Sequence, residues 1–259
     1  MNRKDKTIFI TDGNSLLGKQ IAKEAAKEGM RVVLNLPAEP GLPDAARPDE
    51  QDGCLVTDSD LLSRKAMDDV FRKILNKFGK IDVLIHNHNH VIRKSIEECD
   101  EETFRKEMEW NAKTAFFCTQ AAGRYMKEGG RILYLSSIHD EKPTGCAFPY
   151  SLSKGAVKML CREAAVVLGR KGIRSNLIEL GSGREDDRIF GSDLSNLYQR
   201  YESKIPIGRF VSYQDITNLV LFLCSEESAA LNGADIRMDG GLLLNYTGSN
   251  KPARQEEGR

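Results

Sequence analysis

Short apolar runs alternate with helical stretches along almost the whole of this 259-residue chain, and that alternation leaves few folds open. The apolar and β-branched runs fall at residues 7–11, 31–36, 54–56, 81–87, 131–136, 173–180 and 234–238. Helical periodicity falls between them, over 17–28, 60–78, 101–127, 150–170 and 214–224. Strands that are apolar throughout are buried on both faces. The pattern therefore predicts an α/β chain with a doubly wound, seven-stranded parallel sheet and helices on both faces. Ligands of such sheets sit beyond the carboxyl ends of the strands. Thr11, Asn87, Ser137 and Gly181 stand at those predicted ends and are expected to line one crevice.

Two segments break the rhythm. Residues 37–52 (PAEPGLPDAARPDEQD) are rich in Pro and acidic residues, so a helix after the second strand is expected to be short or absent. Residues 182–205 form a polar insertion with the length of a lid or substrate loop. The Gly-, Pro- and charge-rich end, 247–259, is expected to be a disordered tail after a single domain over 1–246.

Composition excludes several classes of function. Lys plus Arg and Asp plus Glu are both 38, so no basic excess points to nucleic acid or to an anionic membrane surface. No apolar run approaches the roughly 20 residues of a membrane span. The first residues lead directly into a strand with no signal-peptide pattern, and six scattered cysteines without a Cys-x-x-Cys pair read as free thiols. A reducing, cytoplasmic setting is expected.

The chemistry is concentrated in Tyr150-Ser151-Leu152-Ser153-Lys154, thirteen residues after Ser137. Tyr and Lys at i and i+4 face the same way on a helix, and a Ser ending the preceding strand reaches the same pocket. A phenol, a cation to tune it and a hydroxyl to hold a carbonyl suit hydride chemistry on a ketone or alcohol. A Tyr with an unperturbed pKa near 10 is a poor base at neutral pH, and a nearby ammonium lowers that value.

These residues, with Asp82-Val-Leu-Ile85, Asn111-Ala-Lys-Thr-Ala-Phe116, Gly172-Ile-Arg-Ser-Asn176, Ile205-Pro-Ile-Gly-Arg-Phe210, Leu221-Phe-Leu-Cys-Ser225 and Asp239-Gly-Gly241, resemble the short-chain dehydrogenase/reductase family from about residue 6 to 244. The likeness is greatest to 3-oxoacyl-carrier-protein reductases and related alcohol or sugar dehydrogenases. It implies a Rossmann-type fold, NAD or NADP as cofactor, a small carbonyl or alcohol substrate, and a homotetramer or homodimer associating through the 101–127 and 150–170 helices. It also implies a catalytic set of Asn111, Ser137, Tyr150 and Lys154. Tyr150 would be the acid/base, Lys154 would also bond the nicotinamide ribose, Ser137 would hold the carbonyl oxygen, and Asn111 would hold a water. Carried over position by position, cofactor contacts fall at Asp12, Ser15, Leu17, Val56, Asn87, Tyr150, Lys154 and Gly183.

The cofactor half departs from the family pattern. Where the family reads Thr-Gly-x-x-x-Gly-x-Gly, this chain reads Thr11-Asp12-Gly13-Asn14-Ser15-Leu16-Leu17-Gly18. Asp12 brings a negative charge to a phosphate loop, where it is expected to substitute partly for the phosphate and weaken nucleotide binding. Gly13 is a candidate to take over the turn by a one-residue shift. Leu36, Pro37 and Leu55 replace the usual adenosine contacts, and Glu185 replaces a Thr near the nicotinamide amide. His86-Asn87-His88-Asn89 replaces Asn-Asn-Ala-Gly, which puts a bulky His88 beside the expected ribose and an Asn89 able to take a left-handed backbone. The alternating His86, His88 and His90 would share a strand face, as metal ligands sometimes do, or form a packed strand end; no metal site is assigned. The substrate pocket is expected from 138–149, including His139, Cys146 and Phe148, and from the lid. Arg184 and Arg188 of the lid are either a solvated face or an anchor for an anionic substrate. Because four cofactor positions have changed, the alternative to a hydride-transfer enzyme is a weak or inactive protein of the same fold acting as a binding or regulatory partner.

Overall fold

The computed structural model describes residues 3–36, 53–143, 145–181 and 202–245. Its strands are β1 (Thr7–Ile10), β2 (Arg31–Asn35), β3 (Cys54–Thr57), β4 (Val83–His86), β5 (Arg131–Ser137), β6 (Arg174–Leu180) and β7 (Asp235–Met238). They form one seven-stranded sheet in the order β3-β2-β1-β4-β5-β6-β7, with every neighbouring pair parallel. All seven expected strands are present, with their ends displaced by no more than two residues.

Side-chain alternation along the strands decides which layer each residue serves. Ile8, Ile10, Val83, Ile85, Leu133 and Leu135 point to one face, where α1 (Leu16–Lys27) brings Ile21 and Ala25 and α6 (Tyr213–Leu223) brings Ile216 and Val220. Phe9, Leu84, Ile132 and Tyr134 point to the other, under α2 (Arg64–Phe78), α4 (Thr114–Tyr125) and α5 (Phe148–Gly169). Phe71 of α2 is fully buried edge-on to Phe9, a burial that contributes about 1.5–3 kcal/mol. Local signals set the helix ends. Ser15, Ser63 and Ser212 cap α1, α2 and α6, Ser212 as part of a capping box with Asp215, and Gly79 closes α2 in the left-handed conformation that glycine adopts without strain.

The helix expected over 101–127 is not continuous. It consists of α3 (Glu101–Met108), a π-helical turn Glu109–Lys113, and α4. The wide turn carries Asn111, whose carboxamide is drawn inward by the backbone of His90. Such bulges are frequent at functional sites.

The strand order reverses between β1 and β4, and the crevice opens there, beyond their carboxyl ends. No helix among the described residues is long and apolar enough to cross a membrane, and the six cysteines form no disulfide. The segments 37–52, 182–201 and 246–259 lie outside the described residues. So do the expectations that fall on them: the shortened helix and Pro37, most of the lid with Gly183, Arg184, Glu185 and Arg188, and the tail.

Candidate active site

The loop between β1 and α1 is held from below by Asn87, the residue after β4. Its Oδ1 accepts from the Asp12 amide (2.8 Å) and the Thr11 hydroxyl (3.3 Å). Its Nδ2 donates to the Asp12 carbonyl (2.7 Å) and Ser15 Oγ (3.1 Å). Ser15 Oγ in turn donates to the Asp12 carbonyl and accepts from Gly18 N, starting α1. Gly18 is packed so closely that a Cβ there would stand 2.2 Å from the Asp12 carbonyl oxygen and 2.8 Å from Ser15 Oγ. Only glycine fits this point of the loop without moving backbone.

Asp12 completes the loop from inside. Its Oδ1 accepts the amides of Asn14 and Ser15, each at 3.2 Å, the kind of upward-pointing N–H groups at a helix start that bind anions. Burial raises this carboxyl from its ordinary value, while the Ser15 and Asn14 amides act in the opposite direction. Gly13 does not supply a left-handed turn, since its φ is not positive. Its amide donates to the Asn35 carbonyl (2.7 Å), and a Cβ would stand 2.9 Å from Leu36 and 3.0 Å from Leu34. Its glycine therefore serves close approach to β2, not the turn expected from the sequence.

On the β2–β3 side, Asn35 accepts from the Thr57 hydroxyl and the Ser59 amide, which ties the two strand ends together. Leu36 and Leu17 pack against the α1–α6 layer and Leu55 against the opposite one. Val56 is half-buried beside them. Leu36 and Leu55 make this side of the crevice apolar.

On the other side, α5 projects Tyr150 and Lys154 inward, both buried. Lys154 Nζ lies 5.6 Å from the centre of the Tyr150 ring and donates to the His88 carbonyl at 2.8 Å. Burial lowers the Lys154 ammonium to about 7, with the Glu107 and Asp140 carboxylates pulling it back up. The Tyr150 hydroxyl donates to Asn89 Oδ1 at 2.8 Å. Ser137, at the end of β5, accepts the His139 amide, and the His139 ring lies edge-on to Tyr150 at 6.2 Å. Asn111 is farther back. Its Nδ2 donates to the His90 carbonyl (2.9 Å), Ser153 Oγ (3.0 Å) and Glu107 (3.2 Å), and its Oδ1 accepts the His90 amide. That carboxamide braces the loop after β4.

The pKa of Lys154 has a consequence for stability. The unfolded chain protonates this amine below its ordinary 10.5, the folded chain only below about 7. Between these values the unfolded state binds more protons, so the group makes stability rise with pH across that window; below it the full burial cost applies. The stability of the wild type relative to Lys154→Met is expected to improve by more than about 1 kcal/mol from pH 7 to pH 10. Denaturant titrations of both proteins check this, and a difference that is flat with pH contradicts it.

The histidines differ from expectation. His88, expected to stand bulky beside the ribose, has its ring packed among its neighbours. Its ring is buried, stacked on His86 at 5.1 Å, with Nε2 3.3 Å from the Thr11 carbonyl. Burial holds both rings neutral, His88 at about 4 and His86 well below its ordinary value. Trp110 continues the column between His88 and His90, and His90 Nδ1 meets the fully buried Glu107 at 2.8 Å. Asn89 takes no left-handed backbone. Glu107 and Trp110 are residues of this cluster that sequence reasoning missed, and Asn89 was noted there only for its backbone. The spacing of Glu107 four residues before Asn111 was an available signal, as was Asn89 standing in for a family glycine.

A family model described as enoyl-(acyl carrier protein) reductase matches residues 13–243. The L-rhamnose 1-dehydrogenase (NAD(P)(+)) of Azotobacter vinelandii is 29% identical over 252 residues, covering 93% of this chain and 98% of that protein. An L-rhamnose-1-dehydrogenase of Scheffersomyces stipitis is 31% identical over 251 residues, covering 93% and 96%. Among solved structures, a short chain dehydrogenase from Bacillus anthracis superposes with a TM-score of 0.83 at 27% identity, covering 94% of this chain and 99% of the other.

Proposed function

The chain belongs to the short-chain dehydrogenase/reductase family, and from that premise we propose that it moves hydride between NAD or NADP and a small carbonyl or alcohol, with Tyr150 as the acid and base. The observation that carries this is that the buried Tyr150 and Lys154 side chains lie side by side, ammonium 5.6 Å from ring centre, each bonded to the segment that follows β4, where the strand order reverses.

The nicotinamide end of the crevice fits such a cofactor. Lys154 has three donors and commits one to the His88 carbonyl, so another is available to a ribose hydroxyl. The phosphate end fits with one change: Asp12 must give up the Asn14 and Ser15 amides before a pyrophosphate can take them. Ser15 and Leu17 flank that position, Asn87 supports it from below, and Val56 borders the adenine side. When bound, the nicotinamide supplies or accepts the hydride.

The chain's own residues handle the proton. Ser137 Oγ positions the carbonyl oxygen, and Tyr150 gives that oxygen its phenolic proton as the carbonyl carbon is reduced; the same steps reversed serve alcohol oxidation. Lys154 stabilises the phenolate left behind. Asn111 acts at one remove by fixing the loop whose His88 carbonyl orients Lys154, a positioning role. Aldoses and small ketones are the first substrates to screen with NADH and NADPH, since two relatives are named as rhamnose dehydrogenases. Coenzyme turnover that Tyr150→Phe abolishes supports the assignment; turnover indifferent to that change defeats it. The alternative of a binding or regulatory protein rests on the altered contacts at Asp12, Leu36 and Leu55, and loss of NADH and NADPH binding together would favour it.

Association into a homodimer or homotetramer fits the outer faces of α4 and α5, where Phe116, Met159, Val166 and Val167 are exposed. Sedimentation is expected to give a dimer or tetramer that Val166→Glu with Val167→Glu dissociates; a monomeric wild type contradicts this. Six thiols without a disulfide suit the reducing cytoplasm.

A further inference from the structure

Asn89 occupies the hydroxyl of the proposed acid/base, and its surroundings show that this contact is built. The residues on both sides of it are anchored. The His88 carbonyl accepts Lys154 Nζ at 2.8 Å, and the His90 amide and carbonyl are both bonded to the buried Asn111. His90 is tied again through its ring to Glu107. Asn89 is thus presented on a fixed platform at the crevice mouth. Its backbone makes no use of the left-handed region, so the side chain is what distinguishes it from a glycine there.

We propose that the Asn89 carboxamide is a catalytic group, a hydrogen-bond partner of Tyr150 in both of its protonation states. This rests on Tyr150 being the acid/base. In the phenol state the single Tyr150 proton points to Asn89 Oδ1, so Asn89 and an incoming carbonyl oxygen compete for it. During reduction that proton passes from Tyr150 Oη to the substrate oxygen, while the substrate carbon receives hydride from NADH or NADPH, which is oxidised. A phenolate remains. The carboxamide neither gains nor loses a proton. It rotates about its terminal, roughly two-fold torsion and presents Nδ2–H to the phenolate oxygen. A hydrogen bond to an ionised acceptor is about twice as strong as a neutral one, so Asn89 favours the phenolate and biases the site towards alcohol oxidation.

Other groups also act on Tyr150. Lys154 faces it from one turn along α5, His139 from the turn after β5, and the Glu107 and Asp140 carboxylates act through Lys154. Substituting Asn89 leaves all of these in place, so a change in Tyr150 titration reports Asn89 itself. Asn89→Asp keeps the shape but offers a carboxylate, which cannot donate and repels the phenolate. Asn89→Gly removes the contact.

The test is an ultraviolet titration of phenolate in the full-length protein, each form corrected by its Tyr150→Phe counterpart. The Tyr150 midpoint is expected to rise by about one pH unit or more in Asn89→Asp, and by less, in the same direction, in Asn89→Gly. A midpoint unmoved or lowered in both variants overturns the proposal. Coenzyme turnover of the Tyr150→Phe protein separates the two levels. Turnover that survives removes the acid/base role, and with it this one. Turnover lost beside an unmoved midpoint removes only Asn89.

Discussion

Tyr150→Phe is expected to lower coenzyme-dependent carbonyl reduction by about 10²- to 10⁴-fold while leaving the fold intact. Phe keeps the ring that packs beside His139 and under Lys154, so the loss isolates the hydroxyl. Without it, the oxygen that becomes an alkoxide as hydride arrives has Ser137 to bond but no proton to take. Steady-state rates for both proteins on one substrate, with a circular dichroism comparison of fold, check this. Activity within about threefold of wild type, a difference of less than about 1 kcal/mol in the barrier, contradicts the proposed role.

Asp12→Gly combined with Leu16→Gly is expected to tighten NAD(P)H binding by about 10- to 100-fold, equivalent to about 1.4–2.8 kcal/mol. The native carboxylate holds the Asn14 and Ser15 amides and places like charge beside an incoming pyrophosphate. Its removal frees both amides for the ligand, and a second glycine removes the Leu16 side chain at the start of α1. Asn87 still holds the loop through the Asp12 backbone, so the double variant should keep its architecture. Calorimetric titration of wild type and variant decides the matter. Equal affinities mean that Asp12 does not compete with phosphate.

The strand and helix pattern was legible because both periodicities follow burial: Ile8 and Ile10 face one layer and Phe9 the other. The break at Glu109–Lys113 was not, because it depends on bonds between Asn111 and His90, twenty-one residues away in sequence. Tyr150 and Lys154 were legible through their spacing on α5. The departures at Asp12 and Leu16 were visible too, but what a carboxylate does inside a loop is a matter of which amides it reaches. His88 was expected to crowd the crevice because its size was visible and its direction was not; stacking on His86 and burial beside Trp110 turn the ring inward. Asn89 was valued for its backbone tolerance, whereas its function lies in a contact sixty-one residues along the chain.

Separate calorimetric titrations of the wild-type protein with NADH and NADPH decide whether this crevice is a working coenzyme site. Saturable binding of at least one of them is expected, with a Kd in about the 1 μM to 1 mM span that enzyme KM values cover, and at its weaker end because of Asp12. No binding of either coenzyme up to millimolar concentration would contradict it, leaving Tyr150 and Lys154 without the hydride source that their chemistry requires.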